Sequence, residues 1–481
     1  MVYDQGGVMK SRAVWLVMGT LLIGWASKAR AEVPPVGNVV PDTSTFFNGK
    51  PFDGNGVQPW YDGGIPIVNT DKMNLNVFGR MQMLGVGEIV PDPVRAHQRV
   101  YSFIQESRLG MRGDFEGYKF ETQLALGGEN IVESNQPNVA FTLLDMSVDI
   151  PLPRLGKDTS LKVGQFRVPY SRENLTDTGY MPFSGRSIAS DAVGNGTRDY
   201  GLALQGYKDK LAGTIAVMSG AGEDVPQRYL PENFGIPEIV VRAGYNDGVD
   251  EDIYHVVETD LGLKQTEKAA YFNALFSKDT QIGHSSALNL NLPYPTMMLS
   301  SQWNPYIDQG APNAAAMQMG DIFMVGGDAV IRKPLADGNA VSGEAEVNWG
   351  GYQNLYGEIH MATARLQGSY LVHQKYEFSL RYAAIDTGQT VGDAGFKASG
   401  DAVIDEFTPS FTWYIKGQNV KFVTEAPVYL NMPVFDNTGP GGIGSYVMAD
   451  MPFEASAGTG AGNTTVRAVV PELRMMVQFL F

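Results

Sequence analysis

The chain closes on LRMMVQFLF, Leu473–Phe481, in which Leu473, Met475, Val477, Phe479 and Phe481 place an apolar side chain at every second position. Period two marks a β-strand with one apolar face. A terminal aromatic on such a strand is the pattern by which bacterial outer-membrane barrels are recognised for insertion. Phe479 and Phe481 are therefore read as an assembly signal. A single edge strand of a soluble sheet could end this way by accident, so the reading depends on the rest of the chain.

The same alternation recurs upstream. Met73, Leu75, Val77, Met81 and Met83 alternate with Asn74, Asn76, Arg80 and Gln82, and Leu109, Met111 and Phe115 alternate with Arg108, Arg112 and Asp114. Across a two-residue link (Glu116, Gly117), Tyr118, Phe120, Leu124 and Leu126 interleave with Lys119, Glu121 and Gln123. Leu144, Met146, Val148 and Ile150 flank Asp145, Ser147 and Asp149, and Tyr376, Phe378, Leu380 and Tyr382 flank Glu377 and Arg381. Tight links fall at 116–117, 151–158, 209–210 and 417–418, and long polar stretches at 86–98, 220–236, 247–266, 293–320, 387–404 and 431–465. Short turns alternating with long loops are the grammar of transmembrane barrels, short at the periplasmic rim and long outside. The pattern predicts an all-β, transmembrane antiparallel β-barrel of about 16 strands, or about 18 at most. Lipid offers no hydrogen bonds, so a spanning sheet must close on itself. A closed sheet of this size encloses more space than wall side chains fill, which predicts a water-filled lumen.

Composition agrees. The 481 residues include 56 glycines and no cysteine, 18% are charged, and the formal charge is -16. Glycine is well above its usual ~7% and charge well below its usual ~25%. Absent cysteine excludes disulfides, thiolate metal sites, cysteine nucleophiles and a lipoprotein anchor. The acidic balance argues against nucleic acid as a partner, because phosphate-backbone binding needs clustered Lys and Arg. After the first thirty positions no apolar run reaches the ~18 residues of a spanning helix.

Lys10 and Arg12 precede the apolar stretch Ala13–Ala26, and Ala29-Arg30-Ala31 follows it. That is a basic region, an apolar segment too short to span and an A-x-A cleavage site, so residues 1–31 are expected to be a cleaved signal peptide. The alternative is an N-terminal membrane anchor. Without these residues the chain carries 32 basic and 51 acidic groups, a charge of -19. Residues 32–72, rich in Pro, Gly and Asn, show no period and are expected to form a periplasmic tail or partial plug, with the barrel spanning 73–481.

Several segments resemble the phosphate-selective porin O and P family. Leu161–Tyr170, LKVGQFRVPY, followed by Ser171-Arg172-Glu173-Asn174-Leu175, is similar to that family's strand entering a loop that folds into the pore. Arg108–Gly113 (RLGMRG) resembles its second strand, and Arg198–Leu202 (RDYGL) the strand after the loop. The resemblance covers about residues 73–220; beyond them only the strand grammar matches. It implies a homotrimer of sixteen-stranded barrels with at least one loop inside each pore. The family's phosphate-selective members are expected to carry arginines at every second position of one loop, and no R-x-R-x-R run occurs here.

Motifs for other chemistry are weak. The histidines (His97, His255, His284, His360, His373) form no metal-binding spacing, so no metal or cofactor is expected. Gly283–Ala287 (GHSSA) falls one glycine short of a G-x-S-x-G nucleophile elbow. Gly439–Gly444 matches G-x-G-x-x-G as a string, but Pro440 and the flanking glycines mark a loop. Asp247, Asp250, Glu251 and Asp252 cluster in a stretch expected to lie outside, where they would bind divalent cations beside lipopolysaccharide or simply be solvated. Trp303, Trp349, Trp413, Tyr376, Tyr382 and Tyr414 are expected at the membrane interfaces.

These observations point to a non-enzymatic porin of the bacterial outer membrane, embedded in lipid and lipopolysaccharide. It would pass small hydrophilic solutes and ions, with a weak preference for anions. Competing readings are a lipase-like barrel enzyme and an adhesin acting through its loops. Alternation places Arg80, Arg108, Arg112 and Lys119 on inner faces, and Arg167, Arg172 and Arg186 at or within the inward loop; Glu106, Asp114, Glu121 and Asp145 oppose them. These are the candidates for the constriction, seven basic against four acidic.

Overall fold

The computed structural model describes residues 64–481 apart from 71, 91–96, 129–140, 157, 194–197, 220–235, 250–252, 255, 282–318, 355–356, 387–402 and 436–464. The expected signal peptide, the first part of the 32–72 tail, most of the long external loops, Trp303, Gly283–Ala287 and Gly439–Gly444 lie outside the described residues.

Strands β1 (Ile65–Asn69), β2 (Met73–Val90), β3 (His97–Phe115), β4 (Tyr118–Gly128), β5 (Thr142–Pro151) and β6 (Asp158–Arg167) are followed by the inward loop. Then come β7 (Arg198–Lys208), β8 (Leu211–Met218), β9 (Ile236–Asp247), β10 (Glu267–Gln281), β11 (Met319–Pro334) and β12 (Ala340–Asn354). The series ends with β13 (Gly357–Val372), β14 (Tyr376–Asp386), β15 (Ile404–Lys416), β16 (Val420–Glu425), β17 (Val428–Phe435) and β18 (Thr465–Leu480). Each strand from β2 to β15 pairs antiparallel with the next. β16 and β17 are halves of one staff: both lie between β15 and β18, interrupted at Ala426-Pro427, where proline withholds an N–H from the ladder. β18 then pairs with β2 and closes the ring, Glu472↔Glu88 to Leu480↔Arg80. The result is a closed sixteen-stranded antiparallel barrel with two further strand pieces, the broken staff's second half and β1.

The alternation read from the sequence is the alternation of the wall. Met81, Met83, Leu109, Met111, Phe378, Leu380, Tyr382 and Phe479 are exposed on the outside, whereas Arg80, Gln82, Arg108, Glu377, Arg381, Arg474 and Gln478 are buried inside. One exception is Leu144, expected outside but fully buried; the β4–β5 register slips between Gln123 and Leu124, and the bulge turns the side chain inward. Tyr376 packs with Phe411 and Trp413 in an outer aromatic cluster at the short-turn rim. Tyr414 departs from the expected girdle: it is buried, its hydroxyl donating to Glu377 Oε2 at 2.5 Å.

The chain ends at the same rim. Gly79 and Phe481 exchange both backbone hydrogen bonds, at 2.9 and 3.0 Å. A Cβ at Gly79 would stand 2.3 Å from Cζ of the Phe481 ring, so the terminal aromatic fits only over glycine. Below this point β18 is exhausted, and β1 takes its place along Asn74–Val77 of β2. The end of the stretch expected to lack strands thus completes the seam.

Two connections differ from expectation. The 86–98 loop is shorter, because β2 runs to Val90 and β3 begins at His97. The 247–266 stretch is not external: Asp247 lies beside the β7–β8 turn, paired with Lys210 at 2.7 Å, and Glu267 faces Arg332 near the β11–β12 turn. Both ends therefore sit on the short-turn rim, which barrel grammar places in the periplasm. Asp250–Asp252 of the acidic cluster lie outside the described residues.

Candidate functional site

The β6–β7 connection turns into the barrel, and from Val168 to Val193 every residue except the half-buried Arg186 is buried. Its entry is LKVGQFRVPY. Gly164 adopts φ 130, where a Cβ would meet the Met146 carbonyl at 2.1 Å, so the motif's glycine is a steric requirement of this strand. The loop's short helices close on their own side chains. Ser171 caps α1 (Arg172–Leu175), Asp177 accepts from Gly179 N at 2.8 Å, and Ser187 caps α2 (Ile188–Ala192).

One side of this loop is fastened to the β12–β18 wall. Glu346 accepts the N–H groups of Arg172 and Glu173 at 3.1 and 3.2 Å, Glu406 that of Ile188 at 2.8 Å, and Glu425 that of Ser184 at 2.9 Å. Lys421 donates to the carbonyls of Gly179 and Met181, and Ser410 and Thr412 to that of Pro182. Arg381 donates to the Gly185 and Arg186 carbonyls at 2.9 and 3.2 Å and pairs with Glu406 at 2.7 Å. Burial opposes ionisation of Glu173, but the Arg365 and Arg381 guanidiniums outweigh it and hold its carboxyl below the ordinary range.

The other side faces β2–β7 and is richer in cations. Arg80 pairs with Glu106 at 2.5 Å and with Asp177, Arg108 with Glu106 at 2.8 Å, and Arg198 with Asp145 at 2.9 Å. Arg167 donates to the Leu175 carbonyl, and Lys162 pairs with Asp149 at 3.1 Å. The guanidiniums of Arg80, Arg167, Arg186 and Arg198 all lie within electrostatic reach of Arg108. They come from separate segments, so their convergence does not register as a sequence ladder. Beside them a polar cavity of about 20 Å³ is lined by Glu121, Gln123, Asp145, Ser147, Lys162, Phe166, Arg167, Arg198 and Tyr254.

The sequence-derived candidates therefore divide. Arg80, Glu106, Arg108, Asp145, Arg167 and Arg186 gather around the loop's cationic side, and Glu121 borders the cavity. Arg112, Asp114 and Lys119 lie toward the periplasmic rim, next to the β3–β4 turn; Asp114 accepts from Gly117 N. Arg172 points to the far wall, fully buried within 3.8 Å of Asp328 and 4.0 Å of Glu344. Lys162 and Arg198 were missed although both lie in the motifs quoted above. The far-wall set (Arg242, Asp328, Glu344, Glu346, Arg365, Arg381, Glu406) was missed because those strands carry no motif. As expected, a loop folds into the lumen; a second inward segment, which the sequence reading did not anticipate, buries residues 253–254 and 256–261 beside it, Val257 only in part.

A closed barrel with an apolar outer belt and a charged lumen narrowed by inward segments is an outer-membrane porin, a channel for passive diffusion of small solutes. Residues 94–224 match the model of the family described as phosphate-selective porin O and P, a stretch that includes all three segments on which the resemblance rested. No curated protein matches the chain. Among solved structures it is similar to an anion-selective porin from Comamonas acidovorans (TM-score 0.51, 14% identity, 85% of this chain and 100% of that one). It is also similar to the outer membrane channel DcaP of Acinetobacter baumannii (TM-score 0.49, 9% identity, 86% and 99%). These likenesses concern the fold.

Proposed function

We propose that this channel is weakly anion-selective, with its constriction between the inward loop and the β2–β7 wall. The carrying observation is the cavity lining: Lys162, Arg167 and Arg198 against Glu121 and Asp145. The far wall contributes little field, because its carboxylates are engaged by loop amides and by Arg242, Arg365 and Arg381. Charges in distant loops are screened beyond ~8 Å at physiological salt. The total of -19 therefore does not set the preference.

The test is the zero-current potential of single channels across a KCl gradient, for the unmodified protein and for Arg198→Gln. Anion preference that falls in the variant supports the reading; clear cation selectivity of the unmodified channel overturns it. Arg172, turned to the far wall, is expected to have little influence. The family likeness further suggests a homotrimer in lipid and lipopolysaccharide, with residues 1–31 removed on export. Light scattering in several mild detergents tests the trimer, and a monomer in all of them refutes it.

A further inference from the structure

We propose that the periplasmic-side connection between β9 and β10 forms the inner half of the constriction, and that Tyr254 sets its width; this rests on the channel reading above. The other described turns on that rim are short, as at Glu116-Gly117 and Asp209-Lys210, whereas this connection runs from Gly248 to Thr266. Closing the barrel does not require such length. Burying a connection also demands partners for its backbone groups, and here they are provided. Arg332 donates to the carbonyls of Val249 (3.4 Å) and Val257, and Gln418 to that of Thr259 at 3.3 Å. Thr259 Oγ1 donates to Glu377 at 2.9 Å, while Arg365 and Gln367 hold Glu258 at 3.2 and 3.1 Å.

Val249, Ile253, Tyr254, Val256 and Leu261 are all buried inside the barrel. The segment meets the external loop head on. Val256 bridges to Thr176 in parallel pairing, Asp177 N donates to the Val256 carbonyl at 3.4 Å, and Thr259 N to the Tyr180 carbonyl at 3.3 Å. One inward segment from each rim thus closes the middle of the lumen. Tyr254 is the side chain this segment presents to the cationic cavity. Its ring lies edge-on to Phe166 with centroids 5.4 Å apart, Lys162 Nζ stands 5.1 Å from its centre, and its hydroxyl shares a hydrogen bond with Thr214 at 3.2 Å. A small anion drawn to Lys162, Arg167 and Arg198 passes this ring.

The experiment is single-channel conductance in planar bilayers with KCl, on folded protein selected by heat-modifiable migration. Tyr254→Ala and the milder Tyr254→Leu should raise unit conductance, the former by about twofold or more, because the ring lines the cavity shared with Lys162, Arg167 and Arg198 and its removal widens that passage. Tyr254→Phe should leave it unchanged. Unchanged conductance in both truncations overturns the proposal. Since the chain has no cysteine, Thr176→Cys with Val256→Cys forms one defined link between the segments. A static constriction conducts equally before and after reduction. Current lost on oxidation and restored by dithiothreitol would show that the segment must leave, and would also overturn the proposal. An unmodified protein that conducts nothing would instead defeat the channel reading.

Discussion

Arg381→Leu should loosen the inward loop without opening the barrel. The guanidinium pairs with Glu406 through Nε at 2.9 Å and Nη2 at 2.7 Å, donates to two loop carbonyls, stands 3.5 Å from Glu173, and covers the Phe183 ring at 4.4 Å. Removing one partner of a buried pair costs about 3–5 kcal/mol. Here the low end applies, because Glu406 keeps Ile188 N–H and Thr408 Oγ1 as donors and Glu173 keeps Arg365 and Ser187. About 3 kcal/mol corresponds to roughly a hundredfold shift from docked toward undocked loop. The β13–β14 and β14–β15 ladders are backbone pairings and remain. Surface assembly should therefore stay near normal while open-channel noise and loop proteolysis rise. Arg381→Lys should recover much of the loss, since it returns a cation to Glu406 and a donor to the loop carbonyls while leaving Glu406 to hold Ile188 N–H. Noise and proteolysis unchanged in Arg381→Leu, or Arg381→Lys no quieter than Arg381→Leu, would refute this account of docking.

Phe481→Asp should reduce outer-membrane assembly by placing charge on the closing strand's apolar face; normal surface levels would mean that the terminal pattern is not a signal. Gly79→Val should slow assembly through the same contact, because its Cβ would meet the Phe481 ring; pulse-chase folding by heat-modifiable mobility reads the delay, and unchanged kinetics would count against the contact. Burial and the neighbouring Glu344 raise Glu258, against Arg365, from 4.5 to about 7. The docked segment then prefers the protonated form, so docking is strongest below pH 4.5 and weakens as pH rises through about 7. Resistance of the 248–266 connection to proteolysis should fall over that window, with unit conductance unchanged, and lose this dependence in Glu258→Gln; a flat profile in the unmodified protein would count against the docked arrangement.

The barrel was legible because lipid imposes period two on every strand, and the last strand shows it without a break. Side-chain burial follows that period from Met81 to Phe479. Sequence reading failed where the backbone breaks period, as at the Leu144 bulge, and where a rim must be assigned from length alone. The 247–266 stretch is long, and length alone points outward; only its register against the β7–β8 turn places it on the periplasmic side. The proposed constriction was half legible for a related reason. Alternation says that Arg80 and Arg112 share a face, but not that they sit at different depths of the lumen. It also assigns Arg172 to the loop without showing that the loop presents it to the far wall. A cluster built from five segments has no linear signature.

The acidic surplus has a use inside the barrel that its total conceals. A sixteen-stranded wall cannot fill its own lumen with side chains, and bringing loop backbone into that space exposes N–H groups with no ladder to join. Glu346, Glu406 and Glu425 supply acceptors for those amides, two of them by taking N–H groups at or near the start of a short loop helix. A carboxylate so engaged presents little free charge to the channel, and Arg365, Arg381 and Arg474 compensate what remains. Lumen acids on this wall thus serve to dock the inward loop. On the proposed reading the cationic β2–β7 side, with fewer acids among its arginines, is the one left to meet the solute.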